Sequence, residues 1–302
     1  MEIKNNVFKN FKINILFVII FSLTSFDLLA ANRFWVAAND GTTKYYDDPA
    51  NWSNTSGGNG GFSTPTQNDI VKFDGGSSVT CTIRRGANAK QLKLMPPFNG
   101  TVKINDGKTL RITEHLSIYS GSTLLVGTNS QLFTNKNTSW IYSGGTLSAT
   151  NAKKVQFFSV LAIASGGTFL APSLHTVFKG GFRNAGTFTH NNGTVNFSPK
   201  DGSYQVVTGG TGTGKDFYNV IKSSGKVYKM NGDMQVNNIR FNKGVWNVNG
   251  NDLYVKGNYT AYGTNRREVT NTSASTSVIF NGSSNQTIIA HHTNSFPSFE
   301  NL

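Results

Sequence analysis

The sequence predicts an all-β chain wound as a β-solenoid, with an aromatic-rich cap at its N-terminal end. Three observations carry that expectation. A glycine, usually followed by Thr or Ser and then an apolar residue, recurs as Gly100-Thr101-Val102, Gly121-Ser122-Thr123-Leu124, Gly145-Thr146-Leu147, Gly167-Thr168-Phe169, Gly186-Thr187-Phe188 and Gly193-Thr194-Val195, with Gly244-Val245-Trp246 as a degenerate copy. Glycine permits a sharp bend, and a β-branched or aromatic residue after it starts an extended segment. Turns alternating with short strands at intervals of roughly 20 residues describe a coil stacked on itself. Alternating runs are the second observation: Leu92-Lys93-Leu94, Val102-Lys103-Ile104, Leu110-Arg111-Ile112 and Leu116-Ser117-Ile118 each place apolar residues two apart. The third is composition. Charged residues make up 14% of the 302, and 32 glycines accompany only 7 prolines, which fits a polar, turn-rich β protein.

Residues 1–31 read as a secretory signal peptide. Lys4, Lys9 and Lys12 precede an apolar run from Ile13 to Phe26, and Leu29-Ala30-Ala31 offers a small-residue exit before Asn32. The run is short for a membrane span, so no span is expected once it is removed. Cys81 is the only cysteine, so no internal disulfide can form; within Val79-Thr80-Cys81-Thr82-Ile83 it reads as a small buried hydrophobe.

Residues 32–75 differ in character from the rest of the chain. Trp35, Tyr45, Tyr46, Trp52 and Phe62 crowd into this stretch with Asp47-Asp48-Pro49 and a Gly/Ser/Asn loop from Ser53 to Gly61, and Asp69 to Asp74 reads as a strand. A solenoid needs an atypical element over its open end, so this stretch is expected to be the cap and the first coil. Residues 76–302 are expected to be solenoid repeats. Val155 to Ala164 is the one stretch that could be helix or buried strand; its brevity and its Phe and Val content favour strand. A longer period overlies the coils. Val195-Asn196-Phe197, Gln205-Val206-Val207 and Phe217-Tyr218-Asn219-Val220 are echoed by Val278-Ile279-Phe280, Gln286-Thr287-Ile288-Ile289 and Phe299-Glu300-Asn301-Leu302. The second copy stops where the first continues, so the chain is expected to end mid-repeat, as the N-terminal part of a longer protein.

The run from Phe182 to Phe197, Phe-Arg-Asn-Ala-Gly-Thr-Phe-Thr-His-Asn-Asn-Gly-Thr-Val-Asn-Phe, resembles the coils of large secreted repeat proteins of Gram-negative bacteria. Gln205 and Phe217-Tyr218-Asn219-Val220 resemble their continuation, and Trp35, Asn51-Trp52-Ser53 and Asp69-Ile70-Val71-Lys72-Phe73 are similar to their usual opening. The resemblance spans about residues 33–302. It implies a right-handed parallel β-helix and a surface-associated, adhesin-like role. The chain lacks a recognisable C-terminal sorting domain of that family.

Several motifs are weighed against plainer explanations. Gly209-Gly210-Thr211-Gly212-Thr213-Gly214-Lys215 imitates a phosphate-binding loop, but Asp216 takes the hydroxyl position and Phe217 to Val220 reads as a strand instead of the required helix. Asp40, Asp47 and Asp48 could ligate calcium in the cap; turn formation is the plainer role. His291-His292 is the only histidine pair, and neighbours on a strand point to opposite faces; His115, His175 and His190 are isolated. No other metal site and no cofactor is expected. Enzymes that cleave acidic polysaccharide on this fold need clustered carboxylates, and none occurs between Glu114 and Asp201, so catalysis is not expected. Tyr218, Tyr228, Trp246, Tyr254, Tyr259 and Tyr262 would form a sugar-stacking stripe if they faced outward; Trp246 is expected to fill the core instead.

The net charge of +13 becomes +12 without the signal segment. It suits glycans or anionic cell-surface polymers, without implying specific nucleic-acid recognition. The expected function is a secreted or cell-surface adhesin-like module presenting a long polar, basic surface. The alternative is a β-helix that binds carbohydrate or cleaves acidic polysaccharide. Gly100, Gly121, Gly145, Gly167, Gly186, Gly193, Trp35, Trp52 and Trp246 are expected to be architectural.

Overall fold

A computed structural model of the chain describes residues 30–200, 204–207, 211–244, 246–262, 269–270 and 277–290. The signal segment lies almost wholly outside the described residues, as do His291-His292, Arg266-Arg267 and the final Phe299 to Leu302.

The alternating runs become strands that coil into three parallel sheets. Among the described residues the first sheet has 12 strands, running through Asn32–Trp35, Ile70–Phe73, Gln91–Leu94, Leu116–Ile118, Ser139–Ile141, Leu161–Ile163, Phe182–Asn184 and on to Val269–Thr270. The second has seven, from Lys44–Tyr45 through Thr101–Ile104, Thr123–Val126, Thr146–Ser148 and Thr168–Leu170 to Thr187–Thr189. The third includes Ala87–Ala89, Thr109–Ile112, Gln131–Thr134, Lys154–Phe157, His175–Phe178 and Thr194–Phe197. Apart from Trp52–Ser53, each strand pairs in parallel with a strand one coil away, so the chain is a β-solenoid. The helix-or-strand ambiguity at Val155 to Ala164 resolves into the strands Lys154–Phe157 and Leu161–Ile163 with a corner between them.

The register explains the recurring glycine motif. Thr101, Thr123, Thr146, Thr168 and Thr187 align as one column on the second sheet. Their separations of 22, 23, 22 and 19 residues are the lengths of the intervening coils. Thr194 belongs instead to the third sheet, paired with His175. The glycine's main role here is not the bend expected from sequence. A Cβ on Gly145 would stand 2.4 Å from the Ile118 carbonyl oxygen of the preceding coil. Close approach of stacked backbone excludes any side chain there. Gly121 is the departure: its φ of +77° lies in the left-handed region, and it precedes Ser122 and not Thr directly.

Inward residues build one continuous core. Phe157, Phe178 and Phe197 stack in a single column, with ring centroids 5.6 and 5.4 Å apart. Some polar residues within the core pair with one another, as where Ser139 donates to Thr134 at 3.1 Å, whereas the buried Thr176 hydroxyl and Trp246 indole nitrogen have no hydrogen-bond partner among the described residues. Lys222 is the exception. It is fully buried, in register between Phe197 and Phe241, where the column should hold an apolar side chain. Its ammonium donates to the Ser224 carbonyl and, among the described residues, pairs with no carboxylate. Burial pulls its pKa down to about 8.

The N-terminal end is built from aromatics. Trp35 meets Trp52 edge-on at 5.1 Å, Trp52 meets Tyr46 at 5.1 Å, and Phe73 and Phe98 extend the cluster. The Trp52 indole donates to the Tyr46 carbonyl at 2.7 Å. Strand Trp52–Ser53 pairs antiparallel to Asn32–Trp35 and covers the edge of the first sheet. A single 3-10 turn, Pro49–Asn51, is the only helix among the described residues.

The cross-section changes towards the other end. Up to Thr194–Phe197 a turn separates the second sheet from the third. Strand Phe217–Ser223 then runs on without a corner, and Gly214, just before it, accepts from the Phe188 amide of the second sheet at 2.8 Å. The ten-residue strand Met234–Lys243 pairs with both Leu253–Val255 and Tyr259–Ala261. Two sides of the coil have merged into one. The longer sequence period is only partly followed: Val278–Phe280 lies in the third sheet like Thr194–Phe197, whereas Ile288–Ala290 also joins the third sheet and Tyr204–Val207 lies in the first.

Candidate functional site

Strand alternation sends every second residue outward, so the outer faces carry whatever chemistry the rod offers. The third sheet is the most distinctive. Its outward positions include Thr109, Gln131, Lys154 and His175 in one column and Arg111 and Phe133 in the next, where the column continues into the buried Gln156. The Arg111 guanidinium lies over the Phe133 ring at 4.4 Å, and the Lys154 ammonium approaches the same ring at 5.8 Å. At the corner after this column, Phe158 is 37% exposed and carries Lys179 at 5.0 Å. Aromatic faces attract these cations and hold their charges in place without neutralising them. Lys136 and Lys153 are exposed on the two borders of the same face. From residue 115 to residue 200 the chain has Lys136, Lys153, Lys154, Lys179, Arg183 and Lys200 and not one carboxylate. The result is a cationic, partly aromatic surface across consecutive coils.

A shallow groove of about 720 Å³ lies where the cap joins the second sheet. Tyr45, Thr82, Lys103 and Asn105 contribute to its wall, and its lining is rich in hydroxyls. The carboxylates considered for calcium are close by in sequence but engaged separately. Asp40 accepts from the Lys44 ammonium at 2.6 Å and from the Thr42 hydroxyl and amide, and these bonds hold its carboxyl well below the usual range. Asp47 pairs with Arg84 and Arg85, while Asp48 caps the 3-10 turn through the Ala50 amide. Among the described residues no three His, Cys, Asp or Glu side chains gather as metal ligands would.

Other sequence candidates have structural partners. In the glycine-rich loop, Gly209 and Gly210 lie outside the described residues. Lys215 donates to the Gly186 carbonyl, and the strand from Phe217 begins two residues later. Asn184 reaches the Gly214 carbonyl at 3.1 Å, so the loop is tied to the preceding coil. Cys81 is buried on the second sheet, and desolvation pushes its thiol well above its ordinary pKa. His115 contacts Asn137 and the Thr138 carbonyl, and His190 stacks on Tyr218 at 5.5 Å. His175 is exposed on the third sheet.

The six aromatics considered as an outward stripe divide. Tyr228, Trp246 and Tyr259 are buried in the core, Tyr218 and Tyr254 are half-buried, and Tyr262 is 44% exposed. Phe133 and Phe158, which do hold cations on the outside, are inconspicuous in the sequence. Their signal is only a Phe at an outward position of an alternating run, visible once the register is known. Among the described residues no helix is long and apolar enough to cross a membrane.

No family model matches the chain, and no curated protein or solved structure matches it.

Proposed function

We propose that the chain is an adhesin-like module of a secreted, surface-displayed protein, and that its third-sheet face binds anionic cell-surface polymers such as acidic polysaccharide. The observation that carries this reading is the run of six cations without a carboxylate from residue 115 to residue 200, several of them gathered on one face and its borders. A stiff rod with repeated weak contacts gains avidity along a polymer without needing a deep pocket. The predicted signal segment and the resemblance to secreted repeat proteins of Gram-negative bacteria support the location. The role proposed is binding, not turnover.

Retention on immobilised alginate, with neutral dextran as the control, tests the reading. The chain is retained on alginate and elutes as salt rises. Replacing Lys136, Lys154 and Lys179 together by Gln weakens retention on the order of 100-fold, taking roughly 1 kcal/mol for each cation near an anionic surface. Retention unchanged by that triple substitution sinks the proposal.

A further inference from the structure

The first sheet carries a separate feature of different chemistry. Trp140 points outward from strand Ser139–Ile141, and Tyr142 stands next at the corner. The pairing of Ile118 with Ile141 places Tyr119 one coil away from Tyr142. The Tyr119 and Tyr142 rings are 4.2 Å apart and 14° from parallel; Trp140 and Tyr142 are 5.5 Å apart, also at 14°. All three are half-buried. Neighbouring coils are separated by roughly 4.8 Å along the rod, which matches the stacking of Tyr119 on Tyr142 from one coil to the next. Tyr119 covers one face of Tyr142. Trp140 stacks on the same ring, and in the next coil the pairing of Ile141 with Ile163 puts Ala164 at the position equivalent to Tyr142, with the pairing of Ile163 with Asn184 putting Ala185 beyond it. Ala164 is half-buried and Ala185 exposed. Two successive alanines leave a step about 9–10 Å long beside the ring. Ser143 and Ser165 are exposed along its edge.

We propose that this step binds a pyranose ring of a glycan, stacked on Tyr142 with Trp140 alongside. The C–H face of a sugar needs a flat aromatic surface, and carbon atoms in contact at about 3.5–4.0 Å leave room for one ring above Ala164. The sugar's edge hydroxyls need short polar partners, which Ser143 and Ser165 supply. A protein partner fits poorly. An aromatic side chain offers at most about 150–250 Å², these three are already half covered, and a stable protein interface needs about 800 Å² per partner. The site lies on another sheet from the cationic face and does not depend on it.

Tryptophan fluorescence isolates the site, because Trp35, Trp52 and Trp246 are fully buried and Trp140 is not. Acrylamide quenching of the full chain is measured with maltohexaose, cellohexaose, N-acetylchitohexaose and hexagalacturonate in turn. At least one protects Trp140, lowering quenching about twofold or more, and the protection persists at about 0.5 M salt, where exposed charges are screened. Tyr142→Ala and Ala164→Leu, the second filling the step and leaving all three rings in place, each abolish protection. If Tyr142→Ala does not fold, Ala164→Leu decides alone. No protection by any of the four sugars, or protection that survives the filled step, overturns the proposal. The lysine triple substitution leaves protection intact, so failure here and failure of alginate binding are separate results.

Discussion

At the scale of single residues, two positions depart from what their sequence context suggests. Lys222 comes after Val220 and Ile221 in an apolar run, and its fold-level neighbours in the column are Phe197 and Phe241. Its pKa of about 8, against 10.5 for an ordinary lysine, means the folded chain holds fewer protons than the unfolded chain between those values. Stability from this group therefore rises with pH across that window, and the full desolvation cost applies below about pH 8. Lys222→Met is expected to stabilise the chain by about 1–3 kcal/mol at pH 7, with the gain over the parent shrinking towards pH 10.5. Urea melts of both proteins across pH check this; a gain that does not shrink refutes the assignment. Gly145 is the second position. Gly145→Ala forces a methyl to within 2.4 Å of the Ile118 carbonyl oxygen, so it costs about 1–3 kcal/mol even though alanine fits a strand entrance by propensity. Gly107, whose φ is +70° and whose Cβ position is open, is a useful contrast: its strain is conformational, not a clash.

At the scale of elements, the cap and the merged sheet are the informative pieces. An open solenoid end exposes backbone donors and acceptors that invite pairing with another chain. The cap answers with the antiparallel strand Trp52–Ser53, fixed by the Trp52 indole and its contacts with Trp35 and Tyr46. Trp52→Ala is expected to cost about 3–5 kcal/mol, read as a lower urea midpoint. Loss of the covering strand also favours self-association, which light scattering detects; a monomeric variant of unchanged midpoint would show that the strand does not seal the end. The cap was legible in the sequence as a cluster of aromatics among turn residues. The antiparallel pairing was not, because two residues carry no periodicity. The merging of the second and third sheets had a faint signal: Phe217 to Ser223 contains no glycine, where earlier coils turn at sequences such as Gly127-Thr128-Asn129-Ser130. Absence of a turn residue is weak information until the partner strands are seen to accept a straight segment.

At the scale of the whole molecule, contacts run mainly between neighbouring coils, and the cation excess is spread over a rod. Like charges on a stiff scaffold cannot move apart, so they repel at every ionic strength below full screening. Raising salt from about 10 to 200 mM should therefore raise the thermal midpoint while weakening attachment to alginate. A midpoint that falls with salt would mean that ion pairs such as Arg84 with Asp47 and Lys90 with Glu114 outweigh the repulsion.

The sequence by itself determined that this chain is a β-solenoid with an aromatic N-terminal end. Alternation every second residue and a glycine at each coil are local properties, and both survive any rearrangement of the corners. Tertiary structure alone decided which residues meet across coils. Coil lengths vary between 19 and 23 residues along the threonine column, so no fixed offset in the sequence aligns Tyr119 with Tyr142, Arg111 with Phe133, or Lys222 with its phenylalanines. Hydrogen-bonded register sets those pairs, and the binding chemistry of the rod lies in them.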